Sequence, residues 1–261
     1  MNRYARINRL LDLIAEEHTV DVNVIAKRLD VSASTVRRDL NHLNNEQLVT
    51  RTRGGAVATS VSYDLPIRYR TAQRASEKTR IGEAAAELVP PGTIVGMNGG
   101  TTTTEVARAI ATRSVSLHSR QHKQVTIVTN AINIANELIV RRHIKLVMTG
   151  GVARPQSFEL TGSLASATLS EVDLDLAILG VDAFDPINGA KALDEEEARV
   201  NTLMVARARQ VAIVTDSSKL SARAFARICA VSDINYFVTD KEAPEDVLNQ
   251  LRAAGVTVIV T

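Results

Sequence analysis

A chain of 261 residues is long enough for one large domain or two unequal ones. It is 45% hydrophobic and 23% charged, which is enough apolar material for a sizeable core; 3% aromatics and no Trp leave that core to Ala, Val, Ile and Leu, and favour packed α/β layers over an aromatic-rich β sandwich. A single cysteine excludes an internal disulfide and a cysteine-based metal cluster, and no run of 18 apolar residues offers a transmembrane helix. The net charge of +2 is unevenly spread. Residues 1–56 hold 9 basic and 7 acidic side chains, residues 57–80 hold 5 and 2, and the remainder holds 17 and 20. A basic front and a slightly acidic remainder fit a nucleic-acid-binding head on a neutral body, and fit plain scatter of surface charge as well. Met1-Asn-Arg-Tyr-Ala-Arg is followed by no apolar segment of the signal-peptide kind, so a cytoplasmic protein is expected.

In chain order, Ile7, Leu10, Leu11 and Ile14 recur at helical spacing and predict a helix over 4–17. Thr19-Val20-Asp21 is a short extended piece able to cap the next helix. That second helix is expected over 22–29, with Val24, Ile25 and Leu29 apolar. Asp30-Val31-Ser32 is a tight turn with Ser32 as a good N-cap. A third helix is expected over 33–44, burying Val36, Leu40 and Leu43. Residues 47–57 read as a β-hairpin with Gly54 and Gly55 near its bend. Residues 58–76 are polar and look like a linker. A helix over 77–88 then ends before the Pro90-Pro91-Gly92 punctuation. After it, strands are expected at Thr93–Met97, Val125–Thr129, Lys145–Thr149, Leu176–Gly180, Val211–Thr215, Tyr236–Val238 and Val256–Val260. Helices are expected at 102–112, 131–140, 162–171, 195–208 and 244–254. Alternating strands and helices predict a mostly parallel sheet with helices on both faces. Cys229, in Phe225-Ala-Arg-Ile-Cys-Ala-Val, is expected to be core filler rather than a reactive thiol.

Two short helices joined by a tight turn make a helix-turn-helix, whose second helix enters the DNA major groove. With Val36, Leu40 and Leu43 turned inward, Ser34, Thr35, Arg37, Arg38 and Asn41 face solvent, and Ser32 stands at the cap. Arginine offers bidentate donors to guanine, and can equally hold phosphates. Arg51 and Arg53 on the hairpin suit phosphate or minor-groove contact. A small amphipathic bundle with a solvated charged face would give the same periodicity.

The stretch Val31-Ser-Ala-Ser-Thr-Val-Arg-Arg-Asp-Leu40, with Leu43, Leu48 and Arg51-Thr-Arg-Gly-Gly-Ala56, resembles the head of the DeoR family of transcription regulators. Arg6-Ile-Asn-Arg-Leu-Leu-Asp-Leu-Ile-Ala15 and Val24-Ile-Ala-Lys-Arg-Leu29 fit it too. The resemblance implies a winged helix-turn-helix domain over 1–57, a linker over 58–76 and an α/β effector-sensing domain over 77–261, with Arg51–Ala56 in the wing and its exit.

In the second part, Gly99-Gly100-Thr101-Thr102-Thr103-Thr104 follows a predicted strand and opens a predicted helix. Helix-terminal amides with hydroxyls beside them favour an anion such as phosphate, though a plain strand-to-helix turn looks the same. The pattern is neither GxGxxG nor a P-loop. Asn130, Gly150-Gly151 with Arg154 nearby, Asp182 and Asp216-Ser217-Ser218-Lys219 also follow predicted strands, where open α/β sheets bind ligands. Lys219 suits a phosphate, or is a surface lysine; Asp182 suits sugar hydroxyls. At least two of the three glutamates of Asp194-Glu195-Glu196-Glu197 are expected only to serve a helix N-terminus.

Gly100-Thr-Thr-Thr, Thr149-Gly-Gly, Leu179-Gly-Val-Asp182, Glu197-Ala-Arg-Val-Asn201 with Met204, and Asp216-Ser-Ser-Lys219 stand in the order seen in DeoR-type sensor domains, so the resemblance spans nearly the whole chain. It implies a fold similar to sugar-phosphate isomerases and CoA transferases. It also implies repression of genes of sugar or sugar-derivative catabolism, relieved by a phosphorylated sugar. Carried over by position, Gly100, Thr101, Thr102, Gly150, Gly151, Asp182, Glu197 and Lys219 are the effector-site candidates. Asn98 stands where the pattern often has Asp, Asn201 where it often has Lys, and residues 113–124 look longer and more basic than usual. The implied partners are double-stranded operator DNA, a phosphorylated sugar and further copies of the chain. No cofactor, metal site, catalytic set or membrane contact is expected. Two other functions compete: an aldose–ketose isomerase with an added head, using Asp182 or Glu197 as general base, and a DNA-binding protein whose body only oligomerises.

Overall fold

The computed structural model describes residues 3–17, 19–45, 48–58, 74–116 and 124–261. They fall into two compact units, Met1–Gln73 and Arg74–Thr261.

The first unit consists of α1 (Arg3–Glu17), β1 (Thr19–Asp21), α2 (Val22–Leu29), α3 (Ala33–Asn45), β2 (Val49–Thr52) and β3 (Gly55–Ala58). Its core is the apolar stripe expected from the periodicity: Ile7, Leu10, Leu11 and Ile14 of α1 against Ile25, Val36, Leu40 and Leu43. Asp21 caps α2, its carboxylate accepting from the amides of Asn23 (2.7 Å) and Val24 (3.2 Å). Ser32 caps α3 through the amide of Thr35 (3.2 Å). The expected hairpin gains a third strand, in the order β1-β3-β2. Its two glycines do different work. Gly54 turns the chain at φ +101, which a side chain rarely adopts, whereas a Cβ on Gly55 would come within 1.8 Å of the Val20 carbonyl oxygen.

The second unit has β4 (Ile94–Met97), β5 (Val125–Thr129), β6 (Ile144–Met148), β9 (Leu174–Leu179), β12 (Ala208–Val214), β14 (Tyr236–Thr239) and β15 (Thr257–Val260) in one parallel sheet, ordered β15-β14-β12-β9-β4-β5-β6. Helices α4 (Ala75–Ala86), α5 (Thr101–Ser116) and α6 (Ile132–Leu138) cover one face. Helices α7 (Ser163–Ser170), α8 (Glu195–Arg207) and α9 (Glu245–Ala253) cover the other. The strands alternate accordingly: Leu176 and Ile178 of β9 join the first core, while Ala177 and Leu179 join the second. Cys229 is buried in that second core, where desolvation pushes its thiol up to about 11.

Starting from β4 the chain builds outward through β5 and β6, then returns to lay β9 on the other side of β4 and builds outward again. The crevice between the ends of β4 and β9 is therefore the topological switch point of the sheet.

Some expectations shift. Helix α4 begins at Ala75, inside the expected linker, because Arg74 is already fixed by contacts within the second unit. Residues 59–73 of that linker lie outside the described residues. Helix α5 runs to Ser116, so the first four residues of the expected basic loop 113–124 are helical, and 117–123 lie outside the described residues. Helix α6 is shorter than 131–140, and β9 and β12 start earlier than expected. Two small sheets are additions: the hairpin β7 (Val152–Arg154) with β8 (Glu159–Thr161), and β10 (Ala183–Asp185), β11 (Gly189–Ala192) and β13 (Ala226–Cys229). Their strands of three or four residues carry too little alternation to stand out in a sequence.

Candidate DNA face and effector cleft

In the first unit, Ser32, Ser34, Arg37, Arg38 and Asn41 are exposed and Thr35 is half-buried, as the helical pattern requires. The hydroxyls of Ser34 (2.8 Å) and Thr35 (2.9 Å) both meet that of Ser32, so three of the expected groove residues form one cluster at the start of α3. Arg53 is exposed in the wing turn, while Arg51 is half-buried and donates to the carbonyl of Gly55, which ties it to its own hairpin. The α3 pattern conceals one feature. Asp39, directly after the two arginines, is buried, and Arg6 holds it with two bonds, Nε to Oδ2 (2.5 Å) and Nη2 to Oδ1 (3.2 Å). This fork fixes α3 against α1 and so fixes the direction in which Arg37 and Arg38 point.

In the second unit the chemistry gathers at the switch point. Asn98, at the end of β4, spans the crevice: its amide donates to the Gly180 carbonyl (2.9 Å) and its oxygen accepts from the Gly180 amide (2.9 Å). An aspartate could make only the second of these bonds, so Asn98 acts as a clamp between strand ends. Gly100 follows at φ +137, and Thr101 and Thr102 form the first residues of α5. The hydroxyls of Thr103 (3.1 Å) and Thr104 (2.6 Å) are spent on the Gly100 carbonyl. The first amides of α5 have no acceptor inside the helix, the arrangement that receives an anion.

The hairpin β7–β8, which the sequence did not announce, supplies the other wall. Its last strand lies against the end of β5, with the amide of Leu160 on the Asn130 carbonyl (2.7 Å). Phe158 takes a left-handed conformation (φ +60), and the next residue, Glu159, turns inward under Gly99, where a Cβ would lie 2.5 Å from the Glu159 side chain. Glu159 is buried and accepts from the Asn130 amide (3.0 Å). Desolvation, reinforced by the charges of Glu197 and Asp182, pushes its carboxyl up to about 8. Glu197, in the first turn of α8, is also raised, chiefly by burial, and is held by Arg154 Nε (2.9 Å). Asp182 follows β9 and accepts from the Leu193 amide (3.0 Å). Asp194 caps α8 through the amides of Glu196 and Glu197, while Glu195 and Glu196 are exposed, so most of this acidic run does only helix-terminal work.

Asp182 and Glu197 thus act on Glu159, which packs under the Gly99–Gly100 loop that Thr101 and Thr102 follow. Gly150 and Gly151 follow β6, both at positive φ, with Gly151 pressed against the Thr161 backbone. Lys219, half-buried in the turn after β12, stands one strand beyond β9. Glu159 is the residue that sequence reasoning missed: one acidic side chain among mixed polar and apolar neighbours carries no periodic signal of burial.

The chain matches two family models, the DeoR-like helix-turn-helix domain over residues 6–61 and the DeoR C terminal sensor domain over residues 73–241. It is 32% identical over 255 residues to the HTH-type transcriptional regulator GlpR of Haloferax volcanii, covering 97% of this chain and 96% of that one. It is 30% identical over 251 residues to the glycerol-3-phosphate regulon repressor of Escherichia coli, covering 96% of each. Among solved structures it is similar to ribose 5-phosphate isomerase A of Methanocaldococcus jannaschii, with a TM-score of 0.43, 17% identity, and coverage of 57% of this chain and 55% of the other.

Proposed function

From the premise that this chain belongs to the DeoR family of transcription regulators, we propose that it represses genes of sugar or sugar-derivative catabolism and leaves its operator when a phosphorylated sugar fills the switch-point crevice. It is a DNA-binding regulator with a sugar-sensing domain and not an enzyme. Arg37, Arg38, Asn41 and the Ser32–Ser34–Thr35 cluster read the major groove, and Arg53 holds backbone phosphate. Arg51, tied to Gly55, sets the shape of the wing. The effector's phosphate lies on the amides of Gly100, Thr101 and Thr102, with Lys219 reaching it from the next strand but one. Asp182 and Glu197 accept from the sugar. Gly150 and Gly151 shape the rim. The working form is a homo-oligomer in the cytoplasm, since paired helix-turn-helix units read paired half-sites. No helix among the described residues is long and apolar enough to cross a membrane.

The observation that carries this reading is the N-terminus of α5 after β4 at the switch point, with the Glu159 carboxyl packed under the loop that precedes it. The test selects duplexes from a random pool with the full chain, then measures their release by a panel of sugar phosphates and the unphosphorylated parents. The expected result is release by one phosphate and not by its parent. Arg37→Ala with Arg38→Ala is expected to weaken duplex binding by roughly 10- to 100-fold, while leaving the effector's thermal stabilisation unchanged. Failure of every sugar phosphate to stabilise the protein or release the duplex would overturn the sensor half of the proposal.

A further inference from the structure

The crevice has two chemically unlike walls. One is the Gly100 loop and the first turn of α5, rich in amide donors. The other is built of acceptors. Glu159, Asp182 and Glu197 lie close enough that the charges of Asp182 and Glu197 both act on Glu159, and that of Asp182 on Glu197. Arg154 lies among them, bonded to Glu197 (2.9 Å) and 3.4 Å from Asp194, so one guanidinium is set among several carboxyl groups. Among the described residues these carboxylates do not group tightly enough to hold a metal ion.

Two further acceptors point to a ligand independently of charge. Asn130 is completely buried and its Oδ1 has no donor. Its amide nitrogen is committed to Glu159 (3.0 Å) and to the Leu160 carbonyl (3.2 Å), which holds the side chain in this wall. Asn201 is 2% exposed and its Oδ1 also lacks a donor. It lies one turn after Glu197, on the same face of α8. Buried acceptors are normally satisfied, so a fold that keeps one beside the Glu159 carboxyl and another one turn after Glu197 calls for a donor-rich, positively charged group.

We infer that the effector carries, besides its phosphate, a protonated amino group that seats against Glu159, Asp182 and Glu197: an amino-sugar phosphate. This rests on the reading of the crevice as the effector site. The phosphate lies on the donor wall at α5 and the ammonium on the acceptor wall, so the two ends of the ligand fix its direction. A sugar phosphate bearing a hydroxyl in place of the amine offers one donor and no charge there, and acetylation removes the charge and adds bulk.

The experiment measures binding of the full-length protein by calorimetry and thermal shift. The ligands are 2-amino-2-deoxyhexose 6-phosphates, the parent hexose 6-phosphates, the N-acetyl forms, and pentose and triose phosphates. The amine is expected to bind at least tenfold more tightly than either hexose counterpart. Glu159→Gln and Asp182→Asn, each close in shape to the native side chain, are expected to cut that preference at least fivefold while leaving weak binding of the parent in place. Equal or tighter binding of the parent, or of a pentose or triose phosphate, overturns the inference and leaves the sensor reading standing. An amine preference that both variants retain also overturns it. Silence from every sugar phosphate overturns both.

Discussion

In the N-terminal unit the side chains proposed to meet DNA stand outside a small core, whereas in the C-terminal unit those proposed to meet the effector are drawn toward the interior. Arg37, Arg38 and Asn41 are solvated and cost nothing to expose; what is buried beneath them, the Arg6–Asp39 fork, is there to aim them. At the switch point the order is reversed. Glu159 and Glu197 are themselves buried, and the backbone elements around them, Gly99 and the β7–β8 hairpin, exist to admit them. The difference follows from the partners. A duplex is large and carries its charge on its outside, so a convex basic surface suffices. A small metabolite offers little area and must be enclosed, which moves polar groups into low dielectric and shifts their proton affinity.

The strongest way to test this division is to break the buried Arg6–Asp39 ion pair of the head. Asp39→Asn keeps the volume and removes the charge, leaving the Arg6 guanidinium without its carboxylate. Losing one partner of a buried pair costs about 3 kcal/mol, which in a unit this small lowers the melting midpoint by roughly 10 °C or more. Scanning calorimetry is expected to show that loss in the N-terminal unit's transition, together with weaker duplex binding, while the C-terminal transition stays in place. Equal losses in both transitions would mean that the two units do not unfold independently.

The corresponding change in the body is Glu159→Gln, with a smaller effect that is read through pH. The folded carboxyl titrates at about 8 and its ordinary value is 4.5. Between those values the unfolded chain gives up a proton that the folded chain keeps, so stability falls as pH rises through that window and levels off above about 8. Glu197 is shifted in the same direction, with Asp182, Asp194, Arg154 and Ser157 facing it, so part of the slope belongs to the group of carboxylates rather than to Glu159 alone. The glutamine variant is expected to be more stable than the native chain near pH 8 and close to it near pH 5, by urea titration at each pH. Parallel pH profiles for the two proteins would show that Glu159 is not the titrating group.

The same contrast explains what could be seen in the sequence. The head was legible almost residue by residue because its chemistry lies on one face of a helix, and helical spacing separates Val36, Leu40 and Leu43 from Arg37, Arg38 and Asn41. What escaped was Asp39: charge placed it with the arginines, and only the fold brings Arg6 to it. In the body, the parallel sheet and the Gly-Thr loop were visible because buried strands are continuous apolar runs and loops after them are marked by glycine. The hairpin that carries Arg154, Ser157 and Glu159 was not, because its strands are three residues long and its burial depends on contact with the end of β5, distant in sequence. Lys219 and Gly100 could be assigned to the same edge of the sheet, but the strand between them required the sheet order, which the sequence does not contain.

The smallest expected effect concerns Arg74, an arginine that sits where the two regimes meet, half-buried at the first residue of the C-terminal unit. Its guanidinium reaches Ser217 Oγ (2.8 Å), Glu242 (2.6 Å) and Asp240 (3.6 Å), spanning the ends of β12 and β14, while its own backbone is left-handed at φ +50. The Arg74 side chain is a third exposed and its shortest pair is with exposed Glu242, so the pairs together are worth about 1 kcal/mol or less, far below the Arg6–Asp39 fork. The backbone conformation costs a non-glycine residue about 1 kcal/mol in the opposite direction. Removing the side chain in two ways separates these terms. Arg74→Ala loses the pairs and keeps the strain, so it is expected to be the least stable of the three proteins. Arg74→Gly loses the same pairs and relieves the strain, so it is expected to lie close to the native chain by urea unfolding, in line with the preference for glycine over alanine at a helix N-cap. Identical alanine and glycine variants would show that the backbone is free to leave the left-handed region. An alanine variant as stable as the native chain would show that the pairs hold nothing, and would leave Arg6–Asp39 as the kind of arginine–carboxylate contact on which this fold depends.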